Sequence, residues 1–374
     1  MKSSLRVLFL ASWYPNHYNE HLGNFVQRHA EAIATKHEVF VVYAVRSNQP
    51  EIKRIQRGNL TEFIIYYRNE LPFISYLWCM FKGVRLARKT AGSFDICHAN
   101  VAWPAGLIAL LLRMPYVVTE HFSGYLPARN HKWPFMAKPL TRLILNRAKR
   151  VVPVSQFLRN AIETFAPRAR YTVIPNVVNQ NFFSYQPPPP ESSFALIHVS
   201  TLENESKNIV GLVKALRKIH KRNKANYRIQ IGGDGDTRKL LKLMVRYNVP
   251  MINLDVFRAQ PPHKIAEMMA DSHALLMFSH YETQSCTVLE ALCSGRPVIS
   301  SGVGGIPEIT NEQNSVLVED NDVDALVEAI EEVALNYERF DGKKISEEAL
   351  SKYSYQAVCQ RYTELYLNVL NGDS

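Results

Sequence analysis

Residues 279–308 read SHYETQSCTVLEALCSGRPVISSGVGGIPE. The run before them, HALLMF at 273–278, has the length and residue types of a buried strand. Glu282 falls in the loop that follows it, and Thr283, Gln284 and Ser285 open a predicted helix that ends at Cys293. A helix N-terminus presents free N–H groups and the positive end of the macrodipole, which suits a phosphate. Glu290, seven intervening residues beyond Glu282, is expected nearly two turns into that helix, where a carboxylate can accept from a ribose diol. Gly295 suits a left-handed cap and Pro297 prevents continuation. Gly302, Gly304 and Gly305 leave the next loop open to close backbone approach. One such glutamate alone would be read as a solvated surface charge; the whole constellation points to a ligand.

Outward from this stretch, the second half alternates apolar strand runs with helical patterns. FALIHVS, YRIQIGG, INLDVF, HALLMF, PVISS and SVLVED read as strands, and helices are expected at 207–222, 237–247, 262–270, 284–293 and 323–335. The first half repeats the scheme with RVLFL, EVFVVYAV, DICHA, PYVVTE, RVVPVS and YTVIPN, and with helical periods at 24–36 and 104–112. Such alternation predicts an α/β protein with parallel sheets covered on both faces. Residues 181–193, NFFSYQPPPPESS, contain four consecutive prolines and read as a semi-rigid linker. The expected organisation is therefore a first domain at 1–180, the linker at 181–193, a second domain at 194–353 and a C-terminal amphipathic helix at 354–374, which caps the second domain or crosses back to the first.

The chain has 374 residues, enough for two ordinary cores, with 47% apolar and 21% charged residues. Five scattered cysteines without a CxxC pair exclude a zinc or disulfide frame and suit a cytoplasmic chain. The opening apolar run is brief and reads as a first strand, not a signal peptide. The longest apolar stretch, Val101–Leu112, is too short to span a bilayer. The net charge of +10 is uneven: residues 1–180 carry 24 Lys and Arg against 9 Asp and Glu, a net of +15, whereas residues 181–374 carry 20 against 25, a net of −5. The two halves are expected to meet different partners.

The stretch at 279–308 resembles the signature of the retaining GT-B glycosyltransferases of family 4, the group 1 type. Glu282 and Glu290 stand at the family's paired glutamates, Glu290-Ala291 through Gly295 and Pro297-Val298 at the next motif, and Gly304-Gly305-Ile306-Pro307-Glu308 at its glycine-rich loop. The resemblance implies two facing Rossmann-like, doubly wound domains with an interdomain cleft, and a nucleoside-diphosphate sugar as donor. By the same resemblance Glu282 contacts donor-sugar hydroxyls, Glu290 holds the ribose, and the residues between them, Gln284 and Ser285 included, surround the diphosphate. Thr283 and Ser285 stand where the family often has glycine.

Three further segments join this one. In VSTLENESKNIVGLVKAL, 199–216, Lys207 matches the family's diphosphate-binding lysine, and Thr201 stands where an arginine is usual. Two outcomes are open: Arg238, Lys239 or a first-domain cation makes up for it, or activity is weak. In WYPNHYNEHLGNFVQRHAEAIA, 13–34, Gly23-Asn24 precedes a helix; spacing alone reads this equally as a capped helix start or as the family's glycine-bearing donor loop. In PYVVTEHFSG, 115–124, His121 directly follows a strand. A lone histidine there is ordinarily structural, but it matches a family position that contacts the donor sugar; His98 is a weaker candidate. The Gly233-x-Gly235 pair is a weak nucleotide signal. No DxD-like acidic set stands at a strand end, so no metal is expected, and no cofactor beyond the donor.

Residues 73–89 and 129–170 combine apolar and aromatic side chains with cations; the second span carries ten Lys and Arg against Glu163 alone. Such segments suit an anionic membrane surface, and a peripheral site on the inner face of the membrane is expected. No nucleic-acid motif accompanies them. The expected activity is sugar transfer to a glycan or lipid-linked acceptor, with retention, in surface polysaccharide or lipopolysaccharide assembly. A nucleotide-sugar epimerase on the same architecture and a non-catalytic nucleotide-sugar binder are the alternatives.

Overall fold

The computed structural model describes residues 4–68, 72–126, 133–134, 136–190, 193–222 and 226–372. The chain divides into two compact units, one of Met1–Val177 with Tyr355–Ser374 and one of Val178–Ser354.

The first unit holds strands β1 (Arg6–Ala11), β2 (Glu38–Arg46), β3 (Glu51–Arg57), β4 (Leu60–Tyr67), β5 (Ile96–Asn100), β6 (Tyr116–Glu120) and β7 (Arg150–Pro153), ordered β3-β4-β2-β1-β5-β6-β7. Its helices are α1 (Asn24–Ala34), α2 (Pro72–Ala91), α3 (Leu107–Leu111), α4 (Ala137–Arg147) and α5 (Gln156–Phe165). Side chains alternate between two cores along β1. Leu8 and Leu10 enter one, Val7 and Phe9 the other, as expected of a sheet buried on both faces.

The second unit holds β8 (Phe194–Val199), β9 (Tyr227–Gly233), β10 (Leu254–Arg258), β11 (Ala274–Met277), β12 (Val298–Ser301) and β13 (Ser315–Val318), all parallel and ordered β10-β9-β8-β11-β12-β13. Its helices are α6 (Asn204–Lys207), α7 (Ile209–Arg222), α8 (Thr237–Arg246), α9 (Pro262–Ala270), α10 (Cys286–Cys293), α11 (Val323–Leu335) and α12 (Gly342–Tyr353). The last helix, α13 (Tyr355–Asn371), belongs to the first unit, where Tyr355, Val358, Tyr362 and Tyr366 share a core with Val26, Ala30 and Ile33 of α1. The Tyr355 hydroxyl donates to Glu31 of α1 at 2.6 Å.

With β3 set aside, both sheets have the strand order of a doubly wound dinucleotide fold, which reverses between β1 and β5 in one unit and between β8 and β11 in the other. In such sheets ligands bind beyond the carboxyl ends of the strands at that reversal. Fold and candidate site are thereby linked: the loops after β1, β5, β8 and β11 are the ones to read.

Several expectations are corrected. The first sheet is not wholly parallel, because β3 pairs antiparallel to β4 through a turn at Gly58, whose φ of 55° is left-handed. YTVIPN forms no strand; Tyr171 alone bridges to Val151. The helix expected at 104–112 is a π-helical turn at Ala102–Gly106 that runs into α3, and that at 207–222 breaks at Asn208, which is left-handed with φ 46°. The segment after residue 180 is not a free linker: Phe183 is buried in the second unit's core, and Arg296 donates to the Pro187 carbonyl at 3.3 Å. Helix α12, capped by the Asp341 carboxylate on Lys344 N–H, lies in a segment read without an element. Among the described residues no helix is long and apolar enough to cross a membrane.

Candidate active site

In the second unit the loop after β8 is held from beneath. His198 Nδ1 donates to Leu276 O at 2.8 Å, so Nε2 is left to accept from Ser200 Oγ, also at 2.8 Å. Burial brings this imidazole down to about 4 and keeps it neutral. Ser200 Oγ in turn accepts from Leu202 N–H. The chain then makes the single turn of α6, and Lys207 reaches across to the loop after β11. Its Nζ lies 2.5 Å from Glu282 Oε1, with both side chains largely buried. Ser279 Oγ donates to the same carboxylate oxygen at 2.8 Å, and His280 N–H donates to Ser206 O, tying the two loops together by backbone.

Ser285 is the N-cap of α10, accepting from Val288 N–H; the helix begins at Cys286, not at Thr283 or Gln284 as read from sequence. Glu290 is therefore little more than one turn into it. Gln284, Ser285 and Glu290 are all buried. The N-terminus of α10 thus follows β11 and the loop that carries Glu282, and the positive end of its dipole favours a diphosphate there. The glycine-rich loop after β12 closes over this site, with Gly305 N–H donating to Glu282 O at 3.2 Å.

Thr201 is exposed at the end of β8. A β-carbon on Gly235 would stand 1.9 Å from its carbonyl oxygen, so the loop Gly233–Asp236 lies directly on it. Arg238, together with Arg258 at the end of β10, lines a pocket of about 480 Å³ formed by that loop, whereas Lys239 is not among its lining residues.

In the first unit Gly23 is left-handed, with φ 65°, and a β-carbon there would come within 2.6 Å of the Trp13 carbonyl carbon. Gly23 thus lets the loop after β1 fold back on itself before Asn24 opens α1. This brings Phe25 against His121, ring centroids 4.6 Å apart, at the end of β6. His121 is buried beside His29 and His98, and burial holds it well below the usual imidazole range. Asn176, 3.4 Å from His29 Nε2, lies close enough to influence it, yet among the described residues no hydrogen bond of normal geometry reaches either ring nitrogen of His121. A neutral, buried imidazole able both to donate and to accept suits a sugar hydroxyl. His98 is different: both nitrogens are taken, by Tyr366 Oη at 2.6 Å and Thr119 Oγ1 at 2.7 Å, in the interior beneath α13.

Sequence reading missed Glu120, the residue before His121. Its carboxylate is fully buried, and Oε1 accepts from Ala102 N–H at 2.8 Å and Tyr125 Oη at 2.9 Å. It braces the turn after β5, where Val101 has φ 67°. Burial pushes the carboxyl up to about 7, against the pull of these donors. The available signal was an acid placed directly at the end of the apolar run VVT.

Two family profiles span this chain almost end to end: Glycosyltransferase Family 4 matches residues 22–182 and Glycosyl transferases group 1 matches residues 179–356. The chain is a group 1 glycosyltransferase of the family 4 type. Its relatives are distant. N-acetyl-alpha-D-glucosaminyl L-malate synthase of Bacillus anthracis is 24% identical over 75% of this chain and 76% of its own length. The gpi3 subunit of phosphatidylinositol N-acetylglucosaminyltransferase of Schizosaccharomyces pombe is 22% identical over 96% and 79%. Among solved structures, sucrose-phosphate synthase of Thermosynechococcus elongatus superposes with a TM-score of 0.79 at 18% identity, covering 98% of this chain and all of the other. Anabaena HepE in complex with UDP and glucose superposes with 0.72 at 17% identity, covering 96% and 99%. The glycosyltransferase thus has the GT-B fold, with two Rossmann-like α/β units.

Proposed function

We propose that this glycosyltransferase moves a sugar from a nucleoside-diphosphate sugar to a hydroxyl of a glycan or lipid-linked acceptor, with retention at the anomeric carbon, in the assembly of surface polysaccharide or lipopolysaccharide. The observation that carries the reading is the Lys207–Glu282 pair at the strand-order reversal of the second unit, followed by the N-terminus of α10. In this unit Lys207 and the N–H groups after Ser285 balance the departing diphosphate, Glu282 orients donor-sugar hydroxyls, Gln284 lines the diphosphate path and Glu290 accepts from the ribose. In the first unit Gly23 and Asn24 give a close backbone approach for the donor, and His121 bonds a sugar hydroxyl. The bond from the anomeric carbon to the diphosphate oxygen breaks, the bond to the acceptor oxygen forms on the same face, and the acceptor proton passes to the departing phosphate. Arg238 and Arg258 stand where a second cation can replace the one absent at Thr201. The acceptor is presented at an anionic membrane surface on the cytoplasmic side, as the +15 balance of residues 1–180 supports.

Thermal unfolding against UDP, GDP and ADP tests the donor half, with UDP first because HepE was solved with it. A ligand that binds only the folded state adds about 2.7 kcal/mol at one hundred times its Kd. One responder names the base; no responder moves a non-catalytic relative of the fold to the front.

A further inference from the structure

Two segments, 73–89 and 129–170, carry the apolar-and-basic composition that suits a membrane, and the fold distinguishes them. In the second, Arg129, Asn130, His131, Lys132 and Phe135 lie outside the described residues, but Trp133 is half-buried and stacked on Phe165, with ring centroids 5.7 Å apart and planes 10° from parallel. Its large aromatic is turned into the unit.

The first segment is arranged in the opposite way. Ile74 and Trp78 on α2 are 63% and 62% exposed, and Phe73 and Phe81 are exposed as well. Ile74, Trp78, Phe81 and Arg85 recur at the spacing of a single helical stripe, and Lys82, Arg88 and Lys89 fall beside it. The stripe is divided along its length: apolar in its first half, cationic in its second, with no acid between Phe73 and Ala91. Exposed Ile52, paired with Ile65 on the face that carries α2, extends the apolar surface onto edge strand β3. Between the two elements runs a groove of about 680 Å³, within the range of a small-molecule site, lined by Ile52, Ile65 and Trp78 and by two cations, Arg68 and Lys82, against one acid, Glu51. It lies at the carboxyl end of β4, whose Tyr66 ring is turned to the opposite face of the sheet, where His17 of the loop after β1 stacks on it at 4.1 Å and donates its N–H to the hydroxyl.

Resting on the proposed membrane-side acceptor, we infer that the α2–β3 face is the surface through which this protein docks on anionic lipid. Ile74, Trp78 and Phe81 enter the headgroup boundary while Lys82, Arg85, Arg88 and Lys89 meet lipid phosphates. The groove takes one anionic amphiphile, its apolar chain along Ile52 and Trp78 and its phosphate at Arg68 and Lys82. Charge complementarity selects this occupant, since a neutral apolar partner leaves the cationic half of the stripe unused.

Flotation of the full chain with vesicles of phosphatidylcholine alone, and of two parts phosphatidylcholine to one part phosphatidylglycerol, tests it. Wild type floats with the anionic vesicles. Ile74→Ser with Trp78→Ser lowers the partition coefficient by at least about tenfold. Arg85→Ser with Lys89→Ser lowers it by about fivefold per cation, and Arg142→Ser with Leu143→Ser on α4 leaves it unchanged. The substituted side chains are exposed, and stabilisation of each variant by UDP, wherever wild type shows it, confirms that it is folded. Wild-type flotation by the α2 variants, or loss in the α4 variant, overturns the assignment of this face. A Trp78-dependent dimer without lipid, seen by sedimentation, overturns it too, because a second copy would then cover the stripe. Absence of flotation by wild type overturns the membrane reading with it, while the nucleotide response stands as the separate test of the donor site.

Discussion

Gly304 lies directly on the backbone of Glu282: a β-carbon built on Gly304 would stand 1.8 Å from the Glu282 carbonyl oxygen, and Gly304 has φ 61°. The glycine-rich loop therefore fixes the carboxylate that meets Lys207. Gly304→Ala has to move one of the two loops and adopt a left-handed backbone, at a cost of about 1 kcal/mol or more. Transfer activity is expected to fall by at least about tenfold, since a small displacement of a positioning group is costly, while the far-ultraviolet circular dichroism stays native. Wild-type turnover in the purified variant would count against this geometry.

The Lys207–Glu282 pair is largely buried, so removing one partner strands the other charge. Lys207→Met and Glu282→Gln are each expected to lower stability by about 2–4 kcal/mol, and the double variant by clearly less than the sum. Denaturant titration of the four species gives the coupling energy; a value near zero would mean that solvent already screens the pair. Glu282→Gln is also expected to lower kcat more than nucleotide affinity, which calorimetry with the responding nucleotide would separate.

Glu120 gives a pH signature with a defined sign. Its folded-state carboxyl is raised to about 7 from an ordinary 4.5, so its protonated form favours folding. That contribution is complete below about 4.5 and is lost as the pH rises through 7, amounting to about 3 kcal/mol at most. Buried His29, His37 and His198, lowered to about 4, act oppositely and lose their contribution as the pH falls from 6.5 towards 4. The test is therefore a difference: the stability of Glu120→Gln minus that of wild type should rise between pH 5 and pH 8. A flat difference would show that the bonds from Ala102 and Tyr125 hold the carboxylate ionised.

Arg296 is wholly buried and donates to Met269 O, Ala270 O and Pro187 O at 3.1, 2.7 and 3.3 Å, closing the C-terminal end of α9 and anchoring the proline run. Arg296→Leu removes the guanidinium from Ala270 O and Pro187 O and leaves Met269 O with the Ser272 N–H alone, and should cost about 2 kcal/mol or more. Arg296→Lys should recover only part of this, because an ammonium lacks the planar fork. Thermal unfolding of the two variants checks the order; equal midpoints would refute it.

Glu282, Gln284, Ser285, Glu290 and the glycines after β12 were legible because they are close in sequence and follow one strand, so helix period and strand ends place them together without knowledge of the fold. Lys207 was singled out by a motif, but its contact with a carboxylate 75 residues away arises only because β8 and β11 are neighbours in the sheet. The start of α10 was misplaced by a few residues, since Thr, Gln and Ser suit the loop, the cap and the first turn alike.

The sequence by itself determined two α/β units, their strand runs and the local order of the loop, cap and glycine turn around Glu282, because these follow from periodicity and from the backbone limits of glycine and proline. Only the tertiary structure decided that β3 runs antiparallel, that α13 packs against α1 and that Phe183 and Arg296 make the proline run part of the second unit. It also decided that His98 is structural while His121 keeps its ring nitrogens free of normal hydrogen bonds among the described residues, and that Trp78 faces out while Trp133 faces in. Those outcomes depend on which buried surfaces and polar atoms meet across long sequence separations, and hydrophobic burial, being non-directional, leaves no local mark of the partner chosen.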